Sequence, residues 1–166
     1  MPDAVPTDEQ WTDQQWTDQQ WADQQWTDPT CPVARTVDLV GDRWSLLIVR
    51  DAMDGAASFT DFRNSLGVAR NILSDRLRKL TAHGILATTT PPGAKRHTYR
   101  LTDAGQELFT AVVALRQWGE RHAFAPGEDH SVLIGHDGRD VPRVGVLDRS
   151  GRPVTASTSH VRKVAG

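Results

Sequence analysis

The run "RNILSDRLRKLTAHG", Arg70 to Gly84, restricts the fold more than any other stretch of this chain. On a helical wheel Leu73, Leu77 and Leu80 fall within roughly 60° of one another, so one stripe must pack on neighbouring helices. Arg70, Asn71, Ser74, Asp75, Arg78 and Lys79 point elsewhere. Arg76 lies at the margin of the stripe, where a pairing with an acid below it and a phosphate contact are equally open. Gly84 stops the helix. "ILATTT", "PPGAKR" and "HTYRL" follow, two β-prone runs flanking a Pro-Gly turn, which is the pattern of a hairpin.

Upstream, Val33, Val37, Val40, Trp44, Leu47 and Ile48 recur at threes and fours, predicting one helix from Val33 to Met53 with that stripe buried. "SFTD", Ser58 to Asp61, has the form of a capping box and opens a short helix through Leu66. Gly67 separates it from the basic helix, so a helix-turn-helix is expected. Downstream, Thr102 is the expected N-cap of a helix ending near His122, with a seam of Leu108, Val112, Leu115 and Trp118. "SVLIGHDGRDVPRVGVLDRSGRPV" then alternates short valine-rich runs with Asp-Gly and Ser-Gly turns, the pattern of a small β appendage. The fold class expected is mainly α with a small β-hairpin (α+β). A winged helix-turn-helix occupies residues 31–124, and a short β-rich C-terminal extension with a loose tail occupies 125–166.

The formal net charge of −2 hides a division. Residues 1–30 hold seven acids and no Lys or Arg; the other 136 residues hold all 19 cations against 14 acids, a net of +5. The acidic head repeats "QWTDQ", with Trp11, Trp16, Trp21 and Trp26 five apart. That spacing advances a helix by about 500°, so no two successive tryptophans share a face, and a strand alternates them. Residues 1–30 are therefore expected to be disordered. No apolar run approaches the roughly 18 residues of a membrane span, and the N-terminus lacks an h-region. A single cysteine, Cys31, allows no internal disulfide, which fits a reducing cytoplasm.

The exposed donors of the basic helix are of the kinds that bridge phosphates and reach base edges in the major groove. Lys95, Arg96 and His97 at the hairpin tip have the charge to lie along a phosphate backbone. Nucleophile and phosphate-loop motifs are missing, so neither catalysis nor a cofactor is expected. The six histidines match no ligand spacing, and no metal is expected.

"CPVARTVDLVGDRWSLLIVRDAMDGAASFTDFRNSLGVARNILSDRLRKLTAHGIL" followed by "YRLTDAG" resembles the HxlR-type winged-helix regulators of bacteria, relatives of the MarR group. The resemblance covers Cys31 to about His122. It implies a homodimer on a pseudo-palindromic operator, usually as a repressor, with the first and last helices of the domain building the dimer through a seam such as Leu108, Val112, Leu115 and Trp118. DNA-binding residues are then Arg70, Asn71, Ser74, Arg76, Arg78, Lys79, Lys95, Arg96 and His97. Cys31 takes the place of an N-terminal cysteine that in several members senses oxidants, quinones or aldehydes, so an electrophile or other small-molecule effector is implied. Two departures stand out. Ala69 replaces a frequent Ser or Thr, removing a helix cap, and the C-terminal extension lacks the Cys-x-x-Cys that some members carry. A different reading stays open beside this one: a protein-interaction module on a winged-helix scaffold, with the acidic tryptophan repeat as partner or autoinhibitor.

Overall fold

The structure, a computed structural model, describes residues 17–164. Its elements are α1 (Asp18–Asp23), α2 (Pro32–Val40), α3 (Arg43–Met53), α4 (Phe59–Leu66), α5 (Arg70–Ala82), β1 (Leu86–Thr89), β2 (Thr98–Leu101), α6 (Asp103–Glu107) and α7 (Phe109–His122). The chain divides into two compact units with the boundary between Phe109 and Thr110. No helix among the described residues is long and apolar enough to cross a membrane.

Side-chain caps set four helix starts in the first unit, those of α1, α3, α4 and α6. Asp42 accepts from the backbone N–H groups of Trp44 and Ser45, each at 3.1 Å, and so opens α3. Ser58 and Asp61 form the reciprocal capping box of α4. Gly67, at φ +60°, closes α4 in a left-handed conformation that only glycine adopts readily, and this makes the tight turn into α5. Ile48 and Val49 of α3, Phe62 of α4 and Leu73, Leu77 and Leu80 of α5 are essentially fully buried together with Leu86 of β1. The leucine stripe expected on the basic helix is thus the core of a three-helix unit.

β1 and β2 pair antiparallel in the register Leu86–Leu101 to Thr89–Thr98. The Tyr99 N–H donates to the Ala57 carbonyl at 2.8 Å, and Ser58 bridges to Thr98, so the segment before α4 lies along the outer edge of β2. Helices α3 to α5 followed by this hairpin make a winged helix-turn-helix.

Two expected helices are each divided. The helix predicted from Val33 to Met53 stops at Val40 and restarts at Arg43, because Asp42 caps the new start. Apolar spacing continues across the break and conceals it. Val33 and Val37, expected in the buried stripe, are 70% and 55% exposed, whereas Val40 and Ile48 are buried. The helix predicted from Thr102 to His122 breaks at Leu108. Thr102 Oγ1 donates to the Gly84 carbonyl at 2.6 Å while accepting from the Gly105 N–H, which clamps α6 onto the start of β1. A Cβ at residue 105 would collide with the Ile85 carbonyl oxygen, so this contact requires glycine.

Residues 17–30, expected to be disordered, have structure; Trp11 and Trp16 lie outside the described residues. Thr17 and Gln20 form a capping box at the start of α1. Trp21 stacks on Trp26 with ring centroids 5.9 Å apart. The five-residue advance separates the rings only along one continuous helix; here the helix ends at Asp23, and the extended backbone from Gln24 lets the two rings meet. The segment docks on α2. Arg35 lies over Trp26 at 4.7 Å and donates to the Pro29 carbonyl, and Thr27 bonds Asp38 twice, at 2.9 and 2.8 Å.

The second unit is built differently. From α7, Arg116 donates to the Ser131 carbonyl, and Gln117 donates to the Pro142 carbonyl while accepting from the Val144 N–H. Two turns then repeat one hydrogen-bond pattern thirteen residues apart. Gly135 N to Arg139 O is matched by Asp148 N to Arg152 O, and Val141 N to Leu133 O by Val154 N to Val146 O. Its β structure consists of two single bridges, Ile134 to Asp140 and Leu147 to Pro153.

Candidate nucleic-acid interface

With the leucines of α5 held inward, the opposite face of the helix is set outward by geometry. Arg70, Asn71, Ser74, Arg78 and Lys79 are all exposed. Arg70 sits over the Phe59 ring at 5.6 Å, a cation–π contact with the start of α4. Ala69 supplies no side-chain hydrogen bond to the first turn of α5, in contrast to the capped starts of α3, α4 and α6.

Arg76 is turned into the protein. Its Nε lies 3.0 Å from Asp42 and its Nη1 3.0 Å from Asp75, with a quarter of the side chain exposed. Burial by itself raises the Asp42 carboxyl. Hydrogen bonds from Ser45, the Arg76 charge and the Trp44 N–H outweigh it and hold the group below the ordinary carboxylate range. One carboxylate therefore caps α3 and ties α5 to it. The pairing with an acid, one of the two options open for Arg76 from sequence, is the one the structure adopts.

Asp75 has a role that sequence reasoning missed. Besides Arg76, its carboxylate holds Arg78 at 2.6 Å and Lys79 at 3.2 Å. The Lys79 hydrogen bond, then those of Arg78 and both charges, hold its carboxyl below the usual range. The i,i+3 and i,i+4 spacing of Asp75 to Arg78 and Lys79 is legible in the sequence. The meeting of all three cations on one acid is not.

The wing tip, residues 90–97, exposes Lys95, Arg96 and His97. The Ala94 N–H donates to Pro91 O, and His97 Nδ1 hydrogen-bonds Thr90 Oγ1 at 2.9 Å, so the ends of the turn are tied. Between α5 and the wing runs an open groove of about 340 Å³, floored by Leu77 and Tyr99, with Arg78 and His97 among its lining residues. Helix, groove and wing together give one face with donors on both sides.

Cys31 is half-buried at the N-cap of α2, where its side chain makes no cap hydrogen bond. Arg35, one turn on, is committed to Trp26 and Pro29. In the seam expected for dimerisation, Leu115 and Trp118 are 55% and 57% exposed on α7, Val112 is partly buried, and Leu108 caps α6 in the break before α7.

The profile of the HxlR-like helix-turn-helix family matches residues 39–125. The uncharacterized HTH-type transcriptional regulator Mb3122 of Mycobacterium bovis is 43% identical over 95 residues, which span 57% of this chain and 60% of that protein. The uncharacterized HTH-type transcriptional regulator YybR of Bacillus subtilis is 32% identical over 54% of this chain and 74% of its own. Among solved structures, PA1607 superposes with a TM-score of 0.77 at 47% identity, covering 80% of this chain and 94% of that one. The oxidised form of the redox regulator HypR gives a TM-score of 0.53 at 29% identity over 57% of this chain and the whole of that one.

Proposed function

The chain belongs to the HxlR-like helix-turn-helix family, and on that premise we propose that it is a sequence-specific DNA-binding transcriptional regulator that acts as a homodimer in the cytoplasm. The observation that carries the proposal is the α5 face: Arg70, Asn71, Ser74 and Arg78 exposed over a fully buried leucine stripe, beside a wing that ends in Lys95 and Arg96. Such a helix reads base edges in the major groove while the wing follows the flanking backbone. Arg76 serves by bracing α5 on Asp42 rather than by touching phosphate. Leu115 and Trp118, apolar and outward on α7, belong to the surface that joins two copies and spaces their α5 helices to neighbouring half-sites of a pseudo-palindromic operator.

The regulator acts as a repressor released by an electrophile, oxidant or other small molecule, with Cys31 as the thiol that reacts. The half-buried N-cap position of Cys31 and the likeness to a redox regulator support this. As the chain holds one cysteine, a disulfide would join two subunits or a small thiol.

The test is binding to duplexes from the intergenic DNA flanking the gene, measured across salt concentrations. Arg78→Ala and Lys95→Ala are each expected to lower the slope of log affinity against log salt by about one. Wild-type protein that binds none of these duplexes ends the proposal. Should both variants bind as wild type does, the residues are misassigned. Cys31→Ser is expected to keep DNA binding and lose its response to oxidant.

A further inference from the structure

We infer that Asp75 is a specificity-determining positioning residue, an internal counter-charge that holds the cations of α5 away from random phosphates and fixes Arg78 in one pose. This rests on the reading of α5 as the DNA-contacting helix. Of the four cations on α5, Arg70 lies over Phe59 and the other three meet at Asp75. The three are not equivalent. Arg76 is anchored a second time by Asp42, whereas Arg78 and Lys79 have no second acid within ion-pairing distance among the described residues and are 70% and 48% exposed. Their pairs with Asp75 are solvent-screened, so a contact with DNA can replace them, at the cost of the pair.

The two kinds of DNA complex feel that exchange differently. Binding to random duplex is almost wholly electrostatic, so each cation withheld by Asp75 is a counterion not released and an affinity not gained. A base-edge contact instead needs the Arg78 fork in one orientation, and the 2.6 Å bond from Arg78 Nη2 to Asp75 Oδ1 supplies a fixed point for it. Asp75 therefore weakens the unwanted complex more than the wanted one, which is how a repulsive or withholding element creates specificity.

The experiment compares wild type, Asp75→Asn and Asp75→Glu on two duplexes of equal length. One is enriched by the wild-type protein from a randomised pool and the other is unselected. Asp75→Asn is expected to bind the unselected duplex about tenfold more tightly, with a salt slope steeper by about one, and to gain less on the enriched duplex. The ratio between the two duplexes then collapses. Asp75→Glu, which still reaches both partners, is expected to restore most of the ratio. Unchanged affinity and slope on the unselected duplex overturn the inference. So does loss of the enriched duplex alone, which would make Asp75 a direct reader of a cytosine amino group. Parallel loss on both duplexes with a lowered melting temperature also overturns it, as a role in folding. Failure of the wild type to enrich any duplex instead defeats the reading of α5 itself, so the two failures are told apart.

Discussion

The two units of this chain are stabilised by different means. Eleven of the twelve buried apolar side chains among the described residues lie in the first unit, and the second contributes Val113. The first is held by burial, with Ile48, Val49, Phe62 and three leucines of α5 closing on one another. The second is held by hydrogen bonds that Gln117 and Arg116 send to one loop after another, and by two matched turns. The difference separates duties. A helix that must present several donors at once needs a stiff base, since side chains held within a fraction of an ångström read and loosely held ones do not. A hydrogen-bonded annex with Leu115, Trp118, Val146 and Leu147 mostly exposed is suited instead to contact with another molecule.

The severest way to break this comparison is Leu77→Ala. Leu77 is 1% exposed beneath the donor face, and its truncation is expected to cost about 2–5 kcal/mol in denaturant unfolding. Because α5 shares its core with α3 and α4, the loss should appear as one cooperative transition of the first unit and take DNA binding with it. A cost well below 1 kcal/mol would show that α5 is not held by burial. Gln117→Ala probes the other unit. It leaves the Val144 N–H and the Pro142 carbonyl without their partner, a cost of about 1–3 kcal/mol where such groups are sheltered. Amide exchange at Val144 should accelerate about tenfold or more, with protection at Leu86 and Tyr99 unmoved. Acceleration in both units alike would mean that they do not open separately.

What was legible in the sequence follows the same division. The inward leucines of α5, the Ser58–Asp61 box, the Thr102 cap and the hairpin all rest on short-range rules, and the structure has each of them. Helix breaks were harder to read. Apolar spacing runs across Gly41–Asp42 and across Leu108, and at both places a local cap or a close backbone approach overrides the period. The stack of Trp21 on Trp26 and the convergence on Asp75 depend on where the chain turns and where side chains end, which spacing does not encode. Within the second unit, the Asp-Gly and Ser-Gly pairs sit in the two matched turns, whereas nothing in the pattern marked Gln117, which lies 24 to 27 residues from its partners.

A gain of stability sharpens the comparison within the first unit. Ala69, at φ −59° and ψ 140°, has the extended backbone of an N-cap but no oxygen to offer. Ala69→Ser is expected to stabilise by about 1 kcal/mol, read as a raised denaturation midpoint at unchanged m-value. An unchanged midpoint would mean that the first-turn N–H groups of α5 are already satisfied by solvent.

The smallest expected effect is one of pH, and it also discriminates between the units. His83, the C-cap of α5, is half-buried. Burial pushes its imidazole below the ordinary value of 6.5; a hydrogen bond with the Leu39 backbone opposes this, and the Lys79 charge adds to it. In the unfolded chain the ring takes a proton near pH 6.5, while in the folded unit it stays neutral to lower pH. Between those two points the unfolded state binds more protons, so stability falls as pH falls through 6.5 and levels off below the folded value. With half of the ring's surroundings open to solvent, the decline should be a modest fraction of the Leu77→Ala effect. It should appear in the amides of α5, which His83 caps, and of the adjoining β1. His83→Gln should flatten the dependence between pH 5 and 7. A slope that survives the substitution would overturn the assignment to His83, because the carboxylates of Asp42 and Asp61 act only at lower pH. Their depressed values favour the charged form, and they lose their contribution only as pH falls through the carboxylate range.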